Sequence, residues 1–214
     1  MTADAVDDAA EAMDTPPSTA SSWNIANALT ILRLLLVPWF AAYLLADRGQ
    51  DRTSRIAAFA LFALASYTDR IDGQLARRHN LVTSFGKLAD PIADKALTGT
   101  ALIGLSLLHE LPWTVTVVVL FRELGVTALR FWVIRHGVIA ASRGGKLKTL
   151  LQGVAIGLYV LPLTGLPASA RAAVMAVAVA VTVVTGVDYL ARALTLRRTS
   201  ARADMKRARR AARR

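Results

Sequence analysis

Six apolar stretches, each near the length of about 20 residues that a helix needs to cross a bilayer core, decide what this chain can fold into. They run roughly over Ala28–Ala46, Arg55–Arg77, Ser84–Leu108, Trp113–Ile134, Leu147–Gly165 and Ala170–Leu194. With 54% hydrophobic residues and a mean hydropathy of +0.42, the chain is too apolar for an ordinary soluble domain of 214 residues. The expected fold is all-α: an integral membrane bundle of six transmembrane helices over residues 23–196, opened by a short interfacial helix at Trp23–Thr30 with Trp23 at headgroup level. Spans two, three and four carry charges that a strict hydropathy window marks down, and those charges are the functional signal. Spans five and six, rich in Ala, Gly and Val, are expected to be packing scaffold.

The two ends of the chain differ. Residues 1–22 hold Asp4, Asp7, Asp8, Glu11 and Asp14 ahead of Pro16 and Pro17, as expected of a disordered acidic tail. An acidic start lacks the basic n-region of a secretory signal, so the first apolar helix should be retained as an anchor. Residues 197–214 are a basic tail directly after an apolar helix, where Lys and Arg attract anionic lipid headgroups. The net charge of +11 therefore points to a membrane surface; no DNA- or RNA-binding motif accompanies it, and no nucleic-acid partner is expected. Cysteine is absent, which excludes disulfides, a thiol nucleophile and cysteine-bound metal. Basic residues at Arg77, Arg78, Arg143, Lys146 and Lys148, and in the tail, all fall on one side of a six-span chain. That side is expected to be the cytoplasm, so a multi-pass protein of the inner (plasma) membrane would have both termini and the motif described next facing inward. The loop Asp47–Arg55, with Arg48, Arg52 and Arg55, votes the other way.

Between Asp69 and Ala96 the apolar pattern is interrupted by DRIDGQLARRHNLVTSFGKLADPIADKA. Asp69 and Asp72 are three apart and Asp90 and Asp94 four apart, so each pair shares a helix face, and the carboxylates converge if the two helices pack together. Gly73, Ala76 and Gly86 leave room for a backbone or ligand to approach. Clustered carboxylates, with no cysteine and with His79, His109 and His136 far apart, suit Mg²⁺ or Mn²⁺ rather than zinc. Three or four such carboxylates can hold two ions, which would clamp a pyrophosphate. Asp94, one turn beyond Asp90, is placed to reach a hydroxyl as general base. Spacing alone does not divide these roles among the aspartates.

The pattern D-x2-D-G-x2-A-R-x8-G-x3-D-x3-D resembles the signature of the CDP-alcohol phosphotransferases, integral membrane enzymes of phospholipid synthesis, at all eight of its positions. At about 7% usage per position, chance agreement in one window is on the order of one in a billion. Within that family, the segments TDRIDG from Thr68, LADPIADK, FRELGVTALR and SRGGKLKT resemble the bacterial phosphatidylglycerophosphate synthases, and the likeness covers about Asn24–Leu194. The resemblance implies that Asp69, Asp72 and Asp90 bind metal, that Asp94 is the base and touches a metal, and that CDP lies against Asp69, Gly73, Ala76, Arg77 and Gly86. It also implies a homodimer packed through membrane helices.

A phosphorylated acceptor is suggested by Arg122 and Arg130, two helical turns apart on roughly one face, with Lys146 and Lys148 in the following loop. The alternative for these cations is snorkelling to lipid headgroups. Asn27, Thr30 and Arg33, at roughly helical spacing, are either capping groups with a snorkelling arginine or a polar stripe that contacts substrate. The expected reaction transfers a phosphatidyl group from CDP-diacylglycerol, drawn from the surrounding membrane lipid, to sn-glycerol 3-phosphate, giving phosphatidylglycerol phosphate and CMP. Inositol phosphate or phosphatidylglycerol as acceptor is the same-family alternative. A divalent-cation transporter would use intramembrane aspartates too, but inverted repeats are usual there and the cluster occurs once. A basic membrane-tethered scaffold would explain the tail and not the motif.

Overall fold

The computed structural model describes residues 25–78, 84–133, 143–163 and 168–211, and the expected acidic tail lies outside them. Every regular element among the described residues is helical. In chain order they are α1 (Ile25–Leu45), a tight turn at Ala46–Gly49, α2 (Arg52–Arg78), α3 (Ser84–Leu107), α4 (Trp113–Val133), α5 (Arg143–Val160) and α6 (Ala168–Ala211). Residues 25–30 are the first turns of α1, continuous with the long helix rather than a separate interfacial one.

Local chemistry sets the ends. The turn after α1 winds left-handed through Asp47, Arg48 and Gly49, at φ 47°, 52° and 76°. Glycine is favoured at the last of these by its φ, and a Cβ on Gly49 would stand 2.8 Å from Leu108 Cδ1, so that side chain would have to shift. Asp51 then caps α2: its carboxylate accepts the Thr53 amide at 3.2 Å and the Ser54 amide at 2.9 Å. Pro38 and Pro91 sit inside α1 and α3 without ending them, as a packed membrane helix allows. α5 stops at Val160, five residues short of the expected Gly165, because Pro162 forces the residue before it out of helical geometry. α6 instead runs past Leu194 into the basic segment, so the expected tail is helical as far as Ala211.

α1 packs on α2 and α3, α2 on α5, and α6 on both α4 and α5. Phe40, Leu44, Phe62, Leu102, Leu105 and Ile156 form the centre, with the Phe40 and Phe62 rings 5.8 Å apart. The outer surface is apolar as well: Trp39, Tyr67, Phe121 and Val184 are each more than 60% exposed. The buried set, in contrast, includes Asn27, Thr30, Arg33, Arg55, Lys148, Gln152 and Thr182. Polar groups inside and large apolar groups outside is the distribution a lipid solvent favours.

Among the described residues, two helices are long and apolar enough to cross a membrane, through Asn27–Gly49 and Ser169–Leu196; Leu147–Val160 in α5 is apolar and shorter. α2, α3 and α4, which carry the charges, do not meet that measure.

At one end of the bundle, Arg55 is buried and grips Glu110 through two hydrogen bonds, Nη1 to Oε1 at 2.6 Å and Nη2 to Oε2 at 2.9 Å. It also donates from Nε to the Val160 carbonyl at 2.9 Å and from Nη2 to the Tyr159 carbonyl. Arg55 thus closes the C-terminus of α5, whose last carbonyls have no helical partner. Its place in a loop that disagrees with the positive-inside pattern has this structural explanation.

Candidate active site

α2 carries Asp69, Asp72, Gly73, Ala76 and Arg77, and α3 carries Gly86, Asp90 and Asp94. Both carboxylate pairs therefore have the helical spacing that the sequence implies, and the two helices pack against each other. The side chains of Asp72, Ala76, Arg77 and Asp90 lie outside the described residues, as do those of Arg130 and Lys146, and the place of a Cβ on Gly73 or Gly86. Among the described residues no three His, Cys, Asp or Glu side chains gather as metal ligands; Asp69 and Asp94 are the members of the expected set that are described.

Asp69 is joined to the buried stripe of α1. Arg33 is 1% exposed and donates from Nη1 to Asp69 Oδ1 at 2.6 Å, with Thr30 and Asn27 buried on the same helix toward its start. The stripe faces into the bundle. Arg33 meets the first aspartate of the motif and does not snorkel.

The second cluster joins α3, α4 and α5 around one carboxylate. Glu123 Oε1 accepts from the Lys148 ammonium and from Arg122 Nη1 at 3.3 Å, while Oε2 accepts from Lys95 Nζ at 3.4 Å. Arg122 is held from its other side by α6: Nε donates to the Thr182 carbonyl at 3.1 Å and Nη2 to Thr185 Oγ1 at 3.0 Å. Lys148 is 6% exposed and within electrostatic reach of both Asp94 and Lys95. Arg122 and Lys148 thus come together at Glu123. Lys95 and Glu123 complete the group, and the sequence signal for them is slight: Lys95 adjoins Asp94, and Glu123 adjoins Arg122.

A cluster of three cations around one anion keeps a positive excess suited to a phosphate. Carboxylates on facing helices beside it suit a hard divalent cation. Residues 23–184 match the sequence profile of the CDP-alcohol phosphatidyltransferases. The chain belongs to that family. Members are generally divalent-metal dependent, and the all-oxygen donor set on α2 and α3 fits that requirement.

Similarity extends to individual CDP-alcohol phosphatidyltransferases. The chain is 59% identical to the probable phosphatidylglycerophosphate synthase of Mycobacterium tuberculosis, over 80% of this chain and 82% of that protein. It is 38% identical to the CDP-diacylglycerol–glycerol-3-phosphate 3-phosphatidyltransferase of Bacillus subtilis, over 79% of this chain and 95% of that one. To the enzyme of the same name from Escherichia coli it is 39% identical, over 63% of this chain and 75% of that one. As a phosphatidyltransferase, the protein has its family signature on α2 and α3 and a cationic group one helix away.

Proposed function

We propose that this chain transfers the phosphatidyl group of CDP-diacylglycerol to sn-glycerol 3-phosphate, releasing CMP and forming phosphatidylglycerol phosphate. One observation carries the choice of acceptor: Lys95, Arg122 and Lys148 meet at Glu123 and form a cationic group suited to an acceptor phosphate, with Lys148 within electrostatic reach of Asp94. The 59% identity to a probable phosphatidylglycerophosphate synthase supports the same acceptor.

In this scheme Asp69, Asp72, Asp90 and Asp94 hold two Mg²⁺ or Mn²⁺ ions. When bound, these supply positive charge to the pyrophosphate of the CDP-lipid and to the departing CMP. Gly73, Ala76, Arg77 and Gly86, with Asp69, receive the CDP group, the guanidinium of Arg77 pairing with a phosphate and the glycines leaving space. Arg33 holds Asp69 from α1 at 2.6 Å. Arg122 and Lys148, joined by Arg130 and Lys146, bind the acceptor phosphate. Asp94 takes the proton of the acceptor hydroxyl as its oxygen bonds to the lipid-side phosphorus. The bond from that phosphorus to the bridging oxygen breaks, and CMP leaves with the electron pair. Positioning and charge account for most of the rate in such a transfer.

All six helices span the inner membrane in this scheme, with the site near the cytoplasmic ends of α2 and α3. The lipid substrate enters sideways and glycerol 3-phosphate from the cytoplasm. The exposed apolar side chains serve lipid contact and a homodimer interface.

CMP release by the purified chain in detergent, with CDP-diacylglycerol and Mg²⁺ or Mn²⁺, tests the activity. Release with glycerol 3-phosphate and not with inositol 1-phosphate or phosphatidylglycerol is expected. Release with a different acceptor would move the subfamily, and none with any acceptor from folded protein would remove the transferase assignment.

A further inference from the structure

Glu123 touches all three described cations of the acceptor cluster, and each comes from a different helix: Lys95 from α3, Arg122 from α4 and Lys148 from α5. We infer that Glu123 is a positioning residue for the acceptor, gathering Lys95, Arg122 and Lys148 into a preformed phosphate cradle. This rests on the proposed use of glycerol 3-phosphate.

Three cations close together repel one another, and lysines keep considerable rotamer freedom unless something fixes them. The Glu123 carboxylate does both things at once. Its two oxygens divide the work, Oε1 to Lys148 and Arg122, Oε2 to Lys95. The Glu123 side chain is 14% exposed, so its charge acts through a poorly screened environment. Arg122 is fixed independently by the Thr182 carbonyl and Thr185, so Lys148 depends more on Glu123 for its place than Arg122 does. Lys95 immediately follows Asp94 on α3, so the same contact ties the cradle to the helix that carries the base. One carboxylate against three cations leaves a positive excess, and a phosphate can bind without Glu123 moving away.

Glu123→Gln keeps the shape and removes the charge. Ordering freed lysines on binding costs affinity, so the KM for glycerol 3-phosphate should rise roughly tenfold, while the KM for CDP-diacylglycerol changes less than about twofold. Glu123→Asp should recover much of the loss. In a Lys148→Met background, Glu123→Gln should add little, since its main dependant is gone. A lower acceptor KM in Glu123→Gln would mean that the carboxylate merely neutralises the cations, and it would overturn the inference. So would equal changes in both KM values, or full additivity with Lys148→Met. Wild-type protein that releases no CMP with glycerol 3-phosphate would instead remove the transferase assignment, and the acceptor role of Glu123 with it. Active wild type with an unshifted acceptor KM in Glu123→Gln removes the Glu123 role alone.

Discussion

Asp94 and Asp69 are both aspartates of one motif, and the proposed mechanism gives them different work. Asp94 sits beside the cation cluster, one residue from Lys95 and within reach of Lys148. Removing a general base typically costs on the order of 10²–10⁴ in rate. Asp94→Asn should therefore lower kcat by at least about 100-fold and leave CDP-lipid affinity nearly unchanged, as read by CMP release and equilibrium binding. Loss of metal binding in that variant would move Asp94 to a purely ligating role. Asp69 is tied to Arg33, which is almost wholly buried. Asp69→Asn takes away a charged partner at 2.6 Å, so it should destabilise even metal-free protein, by about 1–3 kcal/mol in thermal unfolding with chelator present. Equal melting of wild type and variant in chelator would show that the pair contributes nothing to the fold.

The helices themselves could be read from the sequence because bilayer length and apolar runs leave few other ways to fold. Their ends and mutual contacts could not. α5 ends early because of Pro162 and the hydrogen bonds from Arg55, a residue 105 positions away from Val160. Arg55 itself looked like a vote on topology, since a sequence does not reveal that its partners are carbonyls on another helix. The aspartate motif was legible through fixed local spacing, and so was the α1 stripe of Asn27, Thr30 and Arg33. Glu123 is not legible in this way, because its contacts reach 28 residues back to Lys95 and 25 forward to Lys148, beyond any helical period. At this scale Arg55→Ala should be severe, at about 3–5 kcal/mol, because it leaves Glu110 and the α5 carbonyls without their donor. Thermal unfolding should show that loss, with KM values unchanged below the transition; a shifted acceptor KM would mean that the two ends of the bundle are coupled. Asp51 gives a pH signature. Hydrogen bonds from the Ser54 side chain, then from the Ser54 and Thr53 amides, hold its carboxyl below the usual range. A carboxyl lowered on folding stabilises above its unfolded pKa of about 3.9 and loses that contribution as pH falls through the folded value. The melting difference between wild type and Asp51→Ala should therefore be constant near neutrality and shrink in acid. A difference that persists in strong acid would assign the effect to something besides the charge.

Across the whole molecule, charged side chains collect at two levels. Arg55, Glu110 and the end of α5 form one; Arg33 with Asp69, and Glu123 with Lys95, Arg122 and Lys148, form the other. Asp69 lies 14 residues from Arg55 on α2, and Lys148 lies 12 from Val160 on α5, so the levels are roughly 20 Å apart along each helix at 1.5 Å per residue. A separation of that size fits most of a hydrocarbon core of about 30 Å, with the first level near one face and the site near the other. In the proposed topology the face near the site, which carries these basic residues and the extension of α6, is the cytoplasmic one. The chain has no cysteine, so single-cysteine variants report orientation directly. Gln50→Cys, in the exposed segment between α1 and α2, should react with a membrane-impermeant maleimide added to intact spheroplasts, and Ser200→Cys in the α6 extension only after the membrane is opened. The reverse pattern would put the site outside, where a cytoplasmic pool of glycerol 3-phosphate could not reach it. Labelling of both from outside would mean that an even number of helices crosses between them.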